Sequence, residues 1–138
     1  MKRYFMNWRF IAERILTMAI EFIYHSSFEN ETAKLKRRFS FLDKALESFK
    51  MLCEFQFHPL NPQQRIAPAK LHRVTQNELW SIWKIELSVP NVRSNQSPRV
   101  WFAVKGSVIA FLCIATHTDN YSDNQMNKFA IERVTDIF

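Results

Sequence analysis

Apolar and polar positions follow two different rhythms along this chain. In its C-terminal third they alternate or run continuously apolar, as strands do. Residues 79–88 (LWSIWKIELS) alternate, with Ile82, Lys84 and Glu86 on one side and Trp83, Ile85 and Leu87 on the other. Residues 99–105 (RVWFAVK) send Arg99 and Trp101 one way and Val100, Phe102 and Val104 the other. Residues 107–116 (SVIAFLCIAT) are almost wholly apolar, which predicts a central strand covered on both faces. Gly106 lies between these last two runs, at a tight hairpin turn. Near the other end, residues 19–25 (AIEFIYH) predict a first strand.

Elsewhere the apolar positions recur every three or four residues. Ser26 or Ser27 is placed to cap a helix running to about Phe39, with Glu29 and Glu31 in its first turn. Ser40 and Asp43 form an S-x-x-D box for a second helix. Phe41, Leu42, Ala45, Leu46, Phe49, Leu52 and Cys53 give that helix a wide apolar face, so the pair predicts a helical hairpin. This aromatic stripe reads as core. His58-Pro59 ends the helix, and Pro59, Pro62 and Pro68 predict an ordered loop reaching Asn77. A polar loop with Arg93 separates two of the strands. His117 to Tyr121 form the exit from the last strand. Ser122 and Gln125 then open a final helix, with Met126, Phe129, Ala130, Val134 and Ile137 inward. Asn127, Lys128, Glu132, Arg133 and Asp136 face outward. The order is β-α-α-β-β-β-α, an α+β fold.

Residues 1–17 form a separate question. They predict an amphipathic helix with Phe10, Ile11, Arg14 and Ile15 near one face. Either this is an extension packed on a domain of residues 18–138, or translation starts at Met18. A ribosome-binding sequence before the Met18 codon decides between them.

Composition narrows the class. The 138 residues are 47% hydrophobic and 23% charged, which suits one soluble globular domain. A single glycine argues against a many-stranded all-β fold, which needs left-handed turns. The formal net charge of +6 points to an anionic partner: nucleic acid, an acidic protein or a membrane surface. Solubility alone also accounts for it. No apolar run is long enough to span a bilayer, so no membrane association is expected. Arg9, Glu13 and Arg14 interrupt the apolar stretch that an export signal would need, which predicts a cytoplasmic protein. Cys53 and Cys113 lack metal-ligand spacing and read as buried thiols, with no metal and no cofactor expected. Lys70, His72 and Arg73 make a basic stretch before the strands, either a phosphate contact or a solvated loop.

The order and spacing of these pieces resemble the RelE/ParE superfamily, the toxins of bacterial type II toxin–antitoxin modules. The resemblance covers residues 18–138. It runs from the strand and helical hairpin (AIEFIYHSSFENETAKLKRRFSFLDKALESF) through AKLHRV, LWSIWKIEL, PRVWFAV, VIAFLCIAT and HTDNY. The closing DNQMNKFAIERVTDIF is similar to the end of YafO-type toxins. The resemblance implies a small curved antiparallel sheet with a helical hairpin and a C-terminal helix. It implies a ribosome-dependent mRNA endonuclease, an mRNA interferase that inhibits translation, partnered by an acidic antitoxin. The RNA 2′-OH would attack the adjacent phosphate without a metal or cofactor. Lys84 matches a lysine that stabilises that phosphate, and Arg99 matches an arginine that contacts it. His117 falls near a catalytic arginine of the family and would act as acid or base, and Tyr121 would stack on a base or orient the phosphate. Lys70, His72 and Arg73 would be secondary RNA contacts. The next family lysine falls on Glu86, which removes a positive charge and keeps two alternatives open. One is a ParE-like, non-enzymatic inhibitor of DNA gyrase. The other is a basic RNA-binding module.

Overall fold

The computed structural model describes residues 19–93, 96–116 and 122–138. The proposed extension at 1–17, the alternative start Met18, and both His117 and Tyr121 lie outside the described residues. The elements are β1 (Glu21–Tyr24), α1 (Ser26–Lys36), α2 (Leu42–Gln56), β2 (Leu71–Gln76), β3 (Ser81–Glu86), β4 (Arg99–Lys105), β5 (Val108–Ala115) and α3 (Asp123–Ile137).

The fold is α+β, as the sequence predicts, but the sheet differs in two ways. It has five strands in the order β1-β5-β4-β3-β2, not four. The additional strand is β2, within the stretch read as a loop. It is an edge strand with His72, Arg73 and Gln76 exposed, and its register slips between Arg73 and Thr75. An exposed edge needs little apolar surface, and the irregularity breaks the alternation that marks a strand. Second, the sheet is mixed and not purely antiparallel. Strands β2 to β5 form an antiparallel meander, while β1 pairs parallel with β5, Glu21 opposite Val108 and Tyr24 opposite Phe111. Strand direction is decided by where α1 and α2 return the chain, which no local pattern records.

Two cores lie against the sheet. On one face Phe28 and Leu35 of α1 and Leu42, Phe49 and Cys53 of α2 pack on Ile85, Val100, Phe102, Ile109, Phe111 and Ile114. Phe111 is the hub: its ring centroid lies 5.3 Å from Tyr24, 5.4 Å from Phe28 and 6.0 Å from Phe49. On the other face Met126, Ala130 and Val134 of α3 pack on Ile82, Trp101, Ala103, Ala110 and Leu112. The alanines let the helix approach closely around the fully buried Trp101, whose indole Nε1 donates to Asn127 Oδ1 at 2.9 Å. With helices on both sides, β5 is buried along almost its whole length, as its apolar run predicts. Gly106 takes φ 57° in the β4–β5 turn, which glycine adopts without strain.

Helix starts agree with the sequence in one case of three. Ser122 caps α3, accepting from the Gln125 amide at 3.2 Å. For α1 the cap is His25, not Ser26 or Ser27: its Nδ1 accepts from the Ser27 amide at 3.1 Å. The imidazole does what a serine oxygen usually does, and Nε2 remains available to reach Asp136 Oδ2 at 2.8 Å. For α2 the cap position falls on Phe41 with no side-chain acceptor. Ser40 lies one residue too early, because the chain first turns through a Leu42 to Phe39 backbone bond. Asp43 pairs instead with Lys36 at 2.9 Å.

The outward face of α3 is less solvated than the sequence suggests. Strand β1 stops opposite Phe111, leaving backbone groups of β5 beyond it to be satisfied. Glu31 of α1 accepts from the Ile114 amide at 3.3 Å, and Arg133 of α3 donates to the Leu112 carbonyl at 2.8 Å. Arg133 and Glu31 close on each other with two bonds of 2.8 and 3.0 Å. This fork completes the sheet where β1 ends. It also ties a helix on one face to a helix on the other.

Candidate functional site

The period-2 alternation of β3 and β4 decides which charges gather. Lys84 and Glu86 share the α3 face with Arg99 and Trp101, because Lys84 pairs with Trp101 and Glu86 with Arg99 in the antiparallel register. Lys84 and Arg99 are therefore diagonal neighbours, within reach of one ligand. Strand β2 adds His72 directly opposite Lys84, and Lys70 precedes it. Helix α3 enters above this corner, and its first residue, Asp123, completes the group.

Asp123 uses one oxygen for each cation. Its Oδ2 lies 3.2 Å from Lys84 Nζ and its Oδ1 lies 3.5 Å from Arg99 Nη1. The Lys84 and Arg99 side chains are only 20% and 22% exposed, so both cations are held in a sheltered corner. Around them is a cleft of about 450 Å³, lined by Ala69, Lys70, His72, Lys84, Glu86, Arg99 and Asp123. Two cations directed at the two oxygens of one anion have the geometry that suits a carboxylate or a phosphate.

Of the residues singled out in the sequence, Lys70, His72, Lys84 and Arg99 meet in this cleft, together with Glu86. Arg73 does not line it. Its guanidinium lies 6.0 Å from the Trp83 ring centroid and donates to Gln76 Oε1 at 3.0 Å. His117 and Tyr121 are outside the described residues. The residue that sequence reasoning missed is Asp123. Its signal was present, since an acid in the first turn after a serine cap suits the helix dipole. What the sequence does not carry is that this turn sits over β3 and β4.

Among the described residues no cluster of His, Cys, Asp or Glu could hold a metal ion. The two thiols are poor nucleophiles: burial pushes Cys113 up to about 12, and burial likewise drives Cys53 far above its ordinary value. No helix among the described residues is long and apolar enough to cross a membrane. Comparison of the chain with protein-family models, with curated proteins and with solved structures finds no match.

Proposed function

We propose that this protein is a toxin of the RelE/ParE kind, a ribosome-dependent mRNA endonuclease restrained by an acidic antitoxin. The observation that carries the reading is the convergence of Lys84 and Arg99 on the two oxygens of a single anion, Asp123, with Lys70 and His72 beside them. A phosphodiester offers the same pair of oxygens. In this reading Lys84 and Arg99 hold the scissile phosphate and stabilise the charge that grows on it. The RNA 2′-oxygen attacks phosphorus as its proton passes to a base. The P–O5′ bond breaks, and O5′ takes a proton from an acid. The products are a 2′,3′-cyclic phosphate and a 5′-hydroxyl. His72 is an imidazole lining the cleft and suited to either proton transfer. The resemblance assigns that task to His117. The basic surface, net +6 over the chain, also suits a wrapped acidic antitoxin.

The test is cleavage of mRNA in the A site of purified, programmed ribosomes. Wild type should cut, and Arg99→Ala should cut about 100-fold more slowly, the usual effect of removing one transition-state donor. Absence of cutting by wild type overturns the enzymatic reading. One observation favours a second reading: Glu86 and Asp123 place two carboxylates beside Lys84 and Arg99, leaving little net charge for a phosphate. If the purified protein blocks gyrase supercoiling and leaves mRNA intact, the non-enzymatic ParE-like function replaces the first.

A further inference from the structure

The charged cleft does not end at Glu86 and Lys70. Both residues also line a second groove of about 310 Å³ on the other side of the sheet, between α2 and the loop before β2. Its floor is apolar and buried: Phe49 of α2, Ile66 of the loop, and Ile85 and Leu87 at the end of β3. Its rim is mixed, with Ser48, Arg65, Lys70 and Ser88 exposed, Glu86 half-buried and the apolar Leu52 beside them.

The rim is built rather than loose. The Gln56 side-chain oxygen accepts from the amides of Arg65 at 2.8 Å and Ile66 at 3.1 Å, which pins the loop to the end of α2. The Arg65 guanidinium lies 4.8 Å from the Phe55 ring centroid and donates to Gln63 Oε1 at 3.0 Å. An apolar floor with hydrogen-bonding groups and an excess of cations at its edge suits a heterocycle carried on an anionic backbone.

We propose that this groove is a nucleobase subsite. A single-stranded RNA whose phosphate sits on Lys84 and Arg99 passes over Lys70 and places a neighbouring base on Ile66, Ile85 and Leu87. Arg65 and Lys70 meet the flanking phosphates, and Ser48 and Ser88 meet the base edge. Arg65 and Lys70 outnumber Glu86 around the groove, and this excess of cations favours RNA over the other occupant an apolar groove invites, a segment of a protein partner. The inference rests on the phosphate reading of the adjoining cleft and extends it to how the chain selects which nucleotide lies beside the cut.

The experiment measures fluorescence anisotropy of a labelled single-stranded RNA hexamer, and of the same hexamer with one abasic nucleotide moved through each position. One abasic position should weaken binding to wild type about tenfold, the usual worth of one well-held base. Ser88→Trp and Ser48→Trp, each at an exposed rim position, should fill the groove and weaken the intact hexamer by a similar factor. The sensitive abasic position should then cost nothing more. Thermal melting confirms that the two variants are folded. If both bind the intact hexamer as wild type does, the subsite is wrong, and loss of a protein partner in the same variants would assign the groove to that partner. Arg99→Ala separates the two ideas. If it leaves hexamer binding unchanged, the phosphate reading itself fails and the subsite with it.

Discussion

Asp123 pairs with both Lys84 and Arg99, so under the proposed function its carboxylate would compete with a phosphate for the two cations. Asp123→Asn removes the competing charge and keeps the shape. A partly exposed ion pair is worth on the order of 1 kcal/mol, so the variant should bind single-stranded RNA about fivefold more tightly. Binding isotherms at fixed salt check this. Weaker binding would instead make Asp123 a brace that holds Lys84 and Arg99 in position. At this scale the sequence was legible wherever a side chain's direction follows from a strand's period. That rule alone puts Lys84 with Glu86 on one strand and Arg99 with Trp101 on the next. It could not find Asp123, whose contribution depends on where α3 comes to rest. Nor could it separate Arg73 from His72, because a stretch read as a loop offers no alternation; as a strand, β2 sets His72 opposite Lys84 and Arg73 opposite Trp83.

Elements were legible in proportion to their burial. The buried strands β4 and β5 stand where their apolar patterns put them, and α3 begins at its serine cap. Strand β2, exposed and basic, has no such pattern. The helix caps show the same limit, since a histidine cap like His25 is outside the usual vocabulary of helix starts. The Arg133–Glu31 fork is the element-scale counterpart of a missing strand, because it takes up backbone groups of β5 where β1 has stopped. Arg133→Leu should therefore destabilise the protein by about 2 kcal/mol, below the full effect of breaking a buried pair because the fork is partly exposed. Urea unfolding would measure it. A loss under about 0.5 kcal/mol, the size of an ordinary surface change, would mean that solvent satisfies those groups as well as the fork does.

For the whole molecule, the net charge of +6 becomes specific only through its placement. If Lys70, Lys84 and Arg99 each neutralise one RNA phosphate, affinity for single-stranded RNA should fall with salt at a log–log slope of about −2, at ~0.7 per contact. Arg99→Ala should flatten the slope by about one contact. A slope near zero would remove RNA from consideration. The overall class, α+β with helices about a sheet, was legible from the succession of periodicities. The mixed sheet was not, because parallel pairing of β1 with β5 is settled by the whole path of the chain.

That pairing has a consequence for how the protein comes into being. Strand β5 is made after the other four, yet it lies inside the sheet between β1 and β4. It is also the surface on which β1, α1 and α3 all depend. Until β5 emerges from the ribosome, the first strand has no neighbour, and Phe28 and Phe49 of the helical hairpin lack Phe111. Folding therefore waits for β5, since non-local contacts reward the chain only after its longest loop has closed. A nascent or prematurely terminated chain lacks an inner strand of its sheet, not an edge. The Lys84–Arg99–Asp123 corner then exists only in a copy that has made both β5 and α3.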